Sequence, residues 1–458
     1  MEKVIFAKAQ DLEWIKSLID KHRKEFSFVN RAILLKGIDN QKILCIRNKG
    51  FLHFHHRLDS KSTLYHLCVL PEERRTGLGK LLVSVWEDNA RKYGVRLLQL
   101  KCPIDLEANE FYKKVGFQQV DIKEGKNRTL VVWNKQLTVK RKTNKTQFVA
   151  SLSAEPWKLN KLRRLWEQSD DRRNPFEYII YSPITCPFST TKYYKNEKEL
   201  SSSSNNHTQY PKKVWFDCGA YQVQQGRYSY SELLDFLSNF YINNQWADGY
   251  VLPDIPPVST DSKKLVEEKV QKTVFHCLDF FNTMPDYIQE RAIAPVVGKT
   301  LKQINYCIES YKKLGIKYIG FGSWGTSGKN KSVNLLGRDS LSLFGSLLLM
   351  AEQYEMKVHC FGIGGTSSLK RLQQENLLPD SLDSTTWWKS AGYGNIFFPN
   401  HPQIQITVKD MTDKEFEDIK LKTEHSCFFC KNMQDLKDNR NYRIMHNLSA
   451  WLDALERL

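Results

Sequence analysis

The sequence predicts an α/β protein in two parts: a small N-terminal α/β domain, then a (β/α)8 barrel of TIM type with a C-terminal zinc-binding subdomain. Three observations lead there. A strand-like run at Leu64–Leu70 passes through a basic, glycine-containing loop into a helical pattern. From Val214 onward, short apolar runs alternate with amphipathic helical stretches. Near the C-terminus, His425, Cys427, Cys430 and His446 fall at metal-ligand spacing. A length of 458 residues calls for more than one domain, and 41% hydrophobic with 12% aromatic content is ample for real cores. The net charge of +17 favours a polyanionic partner, nucleic acid first, although many basic proteins bind none.

The opening Met1-Glu2-Lys3-Val4-Ile5 lacks the basic-then-apolar pattern of a secretory leader. The most apolar stretch, Leu341 to Ala351, is too short to cross a bilayer. A cytoplasmic protein without a membrane partner is expected. The ten cysteines are mostly scattered singly, as buried thiols of a reducing compartment are.

The domain expected over residues 1–137 centres on the strand Leu64-Tyr65-His66-Leu67-Cys68-Val69-Leu70. It runs into Arg74-Arg75-Thr76-Gly77-Leu78-Gly79-Lys80 and the helix starting Leu81-Leu82-Val83. Strand, glycine-containing basic loop and helix N-terminus offer backbone N–H groups to a pyrophosphate. These residues resemble the pyrophosphate loop of the GNAT N-acetyltransferases, Arg/Gln-x-x-Gly-x-Gly/Ala, through Arg74, Gly77 and Gly79. A second family signature is matched by Ala108-Asn109-Glu110-Phe111-Tyr112-Lys113-Lys114-Val115-Gly116-Phe117. The polar Asn often found three residues before that Ala is Asp105 here. The resemblance implies acetyl-CoA as cofactor, with Leu67 and Val69 along the pantetheine arm and residues 74–80 on the pyrophosphate. It also implies Tyr112 as the acid that reprotonates the CoA thiolate. The acetyl acceptor is not readable. Among His53, His55, His56 and His66, a general base and purely structural imidazoles are both open.

Residues 138–174 read as a connection. Lys140-Arg141-Lys142-Thr143-Asn144-Lys145 is a basic, solvated linker. Trp157 to Trp166 is an amphipathic basic helix, either lying on a nucleic-acid backbone or packing one face on the barrel. Ser201 to Asn206 is low in complexity and reads as a mobile loop.

The barrel is expected over residues 175–458. Its strand-like runs are Val214–Phe216, Gly249–Leu252, Ala292–Val297, Tyr318–Phe321 and Lys357–Phe361, with Leu301, Ile304, Ile308 and Tyr311 marking an intervening helix. Asp217, Asp254 and Asp383 each end such a run. Carboxylates at strand ends of one barrel converge on one mouth, where like charges need a task or a cation. For Asp383, followed by Ser384-Thr385-Thr386-Trp387-Trp388, the alternative is an ordinary helix N-cap.

His425, Cys427 and Cys430, with His446 returning from a helix, suit a closed tetrahedral Zn²⁺ site; a bare Cys-x-x-Cys is alternatively a redox pair. Together these segments resemble the tRNA-guanine transglycosylase superfamily, and especially its DpdA-like branch, which inserts 7-deazaguanines into DNA. The family's Asp-Ser-Gly-Gly-Phe-Gln is echoed by Asp217-Cys218-Gly219-Ala220-Tyr221-Gln222, and its Cys-x-Cys-x-x-Cys…His by 425–446 with His425 in the first Cys position. Its Val-Gln-Gly appears as Val296-Val297-Gly298, which leaves the base-holding Gln without a counterpart.

The resemblance implies exchange of guanine for a 7-deazaguanine base in DNA, with Asp383 as nucleophile and Asp217 moving protons. Asp254 would accept from the base edge, and Gly320, Gly322 and Gly364 would let the flat base approach backbone. The zinc would be structural. A carboxylate nucleophile suits such chemistry, because it holds the sugar as an ester between two displacements. The acetyltransferase would then acylate an amine on the modified base. Two other readings stand beside it: a tRNA-directed transglycosylase, and a non-catalytic nucleic-acid-binding barrel carrying an acetyltransferase for an unrelated amine.

Overall fold

The computed structural model describes residues 2–26, 29–57, 59–125, 128–139, 146–203, 211–258, 260–322, 338–399, 401 and 405–458. It forms two compact units, one comprising Met1–Lys140 with Thr300–Asn305 and Gly345–Gln353, the other the remainder of Arg141–Leu458. The expected linker Lys140–Lys145 lies outside the described residues.

The first unit is built on a mixed sheet of β1 (Ile5–Phe6), β2 (Ile43–Ile46), β3 (Gly50–His56), β4 (Lys61–Val69), β5 (Leu97–Pro103), β6 (Gln118–Glu124) and β7 (Thr129–Gln136). Their order among the described residues is β1-β2-β3-β4-β5-β7-β6. The parallel pair β4–β5 is joined only over Lys61–Leu64 and Leu97–Leu100, although β4 continues to Val69. Beyond that point the two strands part, leaving a wedge whose β4 wall is Tyr65–Val69. The helix Leu78–Lys92 buries Leu78, Leu82, Val83, Trp86 and Ala90 on one face. That spacing is the 3.6-residue period of an amphipathic helix. Trp86 is anchored as well as buried, its Nε1 donating to Ser62 Oγ at 2.9 Å.

The second unit is a closed barrel of β8 (Gln147–Ser151), β9 (Tyr178–Tyr181), β10 (Lys213–Phe216), β11 (Gly249–Val251), β12 (Ala292–Val296), β13 (Tyr318–Phe321), β14 (Lys357–Cys360) and β15 (Ser381–Ser384). Every neighbouring pair is parallel, and β15 closes the ring on β8. Parallel strands are covered on both faces, which is why these read as unbroken apolar runs.

The barrel begins earlier than the sequence reading placed it. Residues 138–174 are more than a connection, because Gln147–Ser151 is the first barrel strand and Pro156–Glu167 the first barrel-side helix. That helix buries Leu159, Leu162 and Trp166 while Trp157 stays exposed, so one face packs and the other is free. The Ser201–Asn206 loop also needs correction at its start: Ser201–Ser203 complete the helix Phe188–Ser203, while residues 204–206 lie outside the described residues.

The C-terminal region adds a two-stranded ribbon, β16 (Asn395–Ile396) and β17 (Ile406–Thr407), with the helices Asp413–Thr423 and Arg440–Glu456. Ile396, Phe398, Val408, Phe416, Met433 and Leu436 form its small core. Asn447 ties the last helix down, its amide donating to Trp387 O and Asn395 O while its carbonyl accepts from Phe397 N. Trp451 is fully buried and stacks on Phe148 of β8, ring centres 5.7 Å apart. Its indole N–H has no acceptor among the described residues. Trp451→Ala is therefore expected to cost about 3–5 kcal/mol in denaturant titration. Trp451→Phe, which keeps the stacked ring and removes an unsatisfied donor, should cost only about 1–2 kcal/mol.

Candidate functional site

The three carboxylates of the barrel do gather at its C-terminal mouth. Asp217 and Asp254 follow the ends of β10 and β11, and Asp383 is the third residue of β15. Asp383 is not a helix cap. The cap position of the following helix, Thr386–Gly392, is Thr385, and the capping bond comes from Ser384 Oγ, which accepts from Thr386 N at 3.0 Å. Instead Asp383 Oδ1 accepts the N–H of Gly362 at 2.8 Å and lies 3.2 Å from His359 Nε2. His359 Nδ1 is 2.6 Å from Ser381 Oγ, which is 2.6 Å from Tyr318 OH. A buried chain of tyrosine, serine and histidine thus fixes one carboxylate oxygen of Asp383. No described protein group is hydrogen-bonded to the other oxygen.

Burial dominates the electrostatics of the other two carboxylates. Burial pushes the Asp217 carboxyl up to about 7, with the charges of Asp383 and Asp254 adding to the effect. Gly219 N, donating to Asp217 Oδ2 at 3.3 Å, opposes this only in part. Burial likewise raises Asp254 to about 6, against a hydrogen bond from Cys218 Sγ at 3.3 Å. A carboxyl poised near neutrality can both give and take a proton.

Two of the three glycines, Gly320 and Gly322, sit otherwise than expected. A Cβ on Gly320 would stand 2.0 Å from the Phe361 ring, and one on Gly322 would meet Phe361 Cβ at 3.1 Å. The space beside both is filled by Phe361, so they admit a side chain and not a flat base. A Cβ on Gly364 would stand 3.0 Å from Ser368 Oγ. Phe361, half-buried and edge-on to His359 at 4.6 Å, presents the aromatic surface nearest Asp383's partner. The sequence reading missed His359 and Phe361; its available signal was a histidine inside an otherwise apolar strand.

The Cys/His residues also come together. One ligand atom from each of His425, Cys427, Cys430 and His446 lies within 4.8 Å of all the others. Glu424 in the left-handed conformation ends the helix Asp413–Thr423 and turns His425 inward, while His446 arrives from the middle of Arg440–Glu456. The thiols are 3.4 Å apart, with His446 Nδ1 3.5 Å from Cys427 Sγ. Nε2 of both histidines is buried without a partner among the described residues. His425 Nδ1 is meanwhile held by Asp453 Oδ2 at 2.6 Å, a carboxylate itself paired with Arg173. Orphaned imidazole nitrogens beside two thiols are the donor set of a tetrahedral metal site, and a carboxylate behind a ligand histidine is its usual support.

In the first unit, Gly77 (φ +96°) caps the helix Leu78–Lys92, following Arg75 in the same left-handed region. Arg74–Lys80 therefore wrap the open N-terminus of a long helix, beside the parted ends of β4 and β5. Thr76 Oγ1 donates to Glu73 O and Arg74 Nε to Val69 O, fixing the turn. Leu67 and Val69 lie on the unpaired part of β4. Tyr112 is buried, and desolvation raises its hydroxyl pKa, keeping it protonated. The histidines divide. Both nitrogens of His56 are engaged, by Ser62 and Asn89, which makes it structural. His53 and His66 meet through Nδ1 atoms 3.2 Å apart beside a cavity of about 500 Å³ that Phe26, Ile33, Lys36 and Tyr65 also line. Burial lowers His53 to about 3 and His66 to about 4, so both are neutral at physiological pH.

Comparison with known proteins bears on this first unit. The acetyltransferase (GNAT) domain family matches residues 20–133. A [ribosomal protein bS18]-alanine N-acetyltransferase of Haemophilus influenzae is 33% identical over 94 residues, 20% of this chain. The chain spans 60% of that relative's length. Among solved structures, the ribosomal-protein-S18-alanine N-acetyltransferase of Escherichia coli aligns over 31% of this chain and 99% of its own, with 18% identity and a TM-score of 0.27. The PaiA N-acetyltransferase of Thermoplasma acidophilum, in complex with coenzyme A, aligns over 30% and 98%, with 19% identity and a TM-score of 0.26.

The raised Asp217 pKa has a consequence for stability. Between the ordinary value of 3.8 and about 7, the folded chain keeps a proton that the unfolded chain has lost. Stability therefore falls as pH rises through that window. Asp217→Asn, which cannot titrate, should match wild type in melting temperature near pH 4 and exceed it at pH 8. The gain should be about 2–4 °C for each kcal/mol recovered. A gain that is equal at both pH values would contradict the assignment.

Proposed function

We propose that this chain, whose residues 20–133 form a GNAT acetyltransferase domain, is a bifunctional transferase: an acetyl-CoA-dependent N-acetyltransferase joined to a base-exchanging barrel that acts on DNA. The observation that carries the barrel reading is the trio of carboxylates at one mouth. One, Asp383, is oriented by His359 and Gly362 N–H; another, Asp217, is balanced near neutral pH.

In the first half-reaction the Asp383 carboxylate attacks C1′ of the target nucleoside, and the bond to guanine N9 breaks. Protonated Asp217 supplies the departing guanine with its proton. In the second, the Asp217 carboxylate takes the N9 proton of an incoming 7-deazaguanine, which displaces Asp383 from C1′ and restores the original face. Asp254 accepts from the N–H edge of the base, and Phe361 offers it a ring to lie on. The target base leaves its stack to reach the mouth. His425, Cys427, Cys430 and His446 hold one Zn²⁺, which braces the C-terminal region and takes no part in the chemistry.

In the N-terminal domain, the N–H groups of Arg74–Lys80 bind the pyrophosphate of acetyl-CoA, and β4 beyond Leu64 binds its pantetheine arm. The amine enters beside His53 and His66, and Tyr112 returns a proton to the CoA thiolate. The acceptor is an alkyl amine; an amine on the 7-deazaguanine base would make the two activities consecutive. Transfer to an amine unrelated to the barrel's product is the alternative for this domain.

Mass spectrometry of nucleosides from DNA and from tRNA of cells expressing the chain tests the barrel reading. A deazapurine nucleoside is expected in DNA; its appearance only in tRNA would reassign the substrate. Asp383→Asn should abolish exchange and the covalent strand adduct while leaving the melting temperature close to wild type. Exchange at the wild-type rate in that variant would remove Asp383 from the mechanism. Metal analysis should find about one Zn²⁺ per chain, lost in Cys427→Ser/Cys430→Ser together with several degrees of stability.

A further inference from the structure

Three aromatic rings on segments leaving the C-terminal ends of barrel strands each carry a cation over the face. Trp157, 61% exposed after β8, has Lys158 Nζ 5.1 Å from its ring centre. Tyr221, 39% exposed after Asp217, has Lys389 Nζ at 6.0 Å. Trp388, after Asp383, has the Arg440 guanidinium at 5.9 Å. Trp157 and Trp388 line one cavity of about 460 Å³, together with Lys161, Arg440, Ser153 and Thr185.

That cavity is lined by segments leaving the C-terminal end of the ring, the end that carries Asp383, and none of the three carboxylates is among its lining residues. Its walls come from the segments that leave β8 and β15, and these two strands are partners, with Asp383 opposite Val149 and Ser384 opposite Ala150. Adjacent strands lie about 4.8 Å apart. The charge is also directional. Glu155 pairs with Lys158 at 3.1 Å and accepts from Trp157 Nε1, but Lys161 and Arg440 make no ion pair among the described residues. One exposed indole, Trp157, and one half-buried indole, Trp388, next to cations without ion pairs match a nucleotide, which is a flat ring bound to an anion. A protein or lipid partner would call for a broader apolar surface than two indoles provide.

We propose that this cavity is a stacking subsite for the nucleotide next to the one held over Asp383. The neighbouring base stacks against Trp388 and Trp157, and its flanking phosphates pair with Arg440 and Lys161. Which nucleotide counts as the neighbour rests on the base-exchange reading; binding of the strand does not. The shared chemistry is that of a single strand, DNA or RNA, whose bases are free to stack.

The test uses the full-length chain carrying Asp383→Asn, titrated by fluorescence anisotropy with labelled single-stranded DNA and RNA of one sequence. Trp157→Ala and Trp388→Ala should each weaken binding about 5- to 100-fold without changing its salt dependence. Trp388→Phe should restore most of the loss, and Trp157, being exposed, can be replaced without unfolding the helix it leads. Lys161→Glu with Arg440→Glu should flatten the log–log salt slope by about 1.4, two phosphates at roughly 0.7 each. The tighter of the two strands identifies the source of the ligand. Trp→Ala affinities within about twofold of the parent, or binding to duplex but not to single strands, overturn the proposal. If the tryptophans govern strand binding while the Asp383-containing enzyme exchanges no base, the subsite stands and base exchange falls. If exchange and strand affinity are both unchanged in the two Trp→Ala variants, base exchange stands and the subsite falls.

Discussion

Closure of β15 onto β8 is the constraint on which the barrel and its candidate site depend. The pairing runs from Ser381–Gln147 to Ser384–Ala150, joining strands more than two hundred residues apart in sequence. It fixes the height of Asp383 in the ring. It also places the segments after β8 and β15 side by side, so that Trp157 and Trp388 share a cavity. Thr146 Oγ1 donating to Pro379 O and Gln147 N to Asp380 O tie the entrance of the two strands together. In a parallel barrel the strand ends all face one way, so fixing this register aims every C-terminal side chain at one space.

Gathering carboxylates there opposes folding, because burial and mutual repulsion both disfavour charge. The fold answers in two ways. One oxygen of Asp383 is fixed in place by Gly362 N–H and by the chain through His359, Ser381 and Tyr318. Asp217 and Asp254 rise toward neutral pH, so the proton content of the mouth changes within the physiological range. An arrangement of this kind is costly as structure, and buried carboxyls held near neutrality mark candidate functional sites.

The C-terminal cluster solves another problem. Ribbon and helices of this region have a small core, and small cores gain from a cross-link. Donors from the turn at 425–430 and from the helix Arg440–Glu456 converge, while Trp451 and Asn447 of the same helix reach the barrel strand β8 and the segment around Trp387. One helix therefore carries Arg440 in its first turn, His446 of the metal-type cluster in its middle and the Trp451 contact with the barrel strand β8.

The sequence alone determined what local chemistry can announce. The loop Arg74–Lys80 was legible because a phosphate-type turn needs glycine at fixed offsets. Asp217, Asp254 and Asp383 were legible because carboxylates interrupt apolar strands, and His425–His446 because metal donors recur at short spacing. Tertiary structure decided the rest. Gln147–Ser151 and Tyr178–Tyr181 are strands only because neighbours on both sides complete their hydrogen bonds, and short buried runs carry no period of their own. Whether Asp383 was a cap or a mouth residue depended on the Gly362 N–H and His359, both supplied by the neighbouring segment. Gly320 could be read as a seat for a base until Phe361, from the adjacent strand's end, was found filling its space. Periodicity and motif spacing are local quantities, but register and side-chain occupancy are set by segments distant in sequence, and so they appear only once the ring has closed.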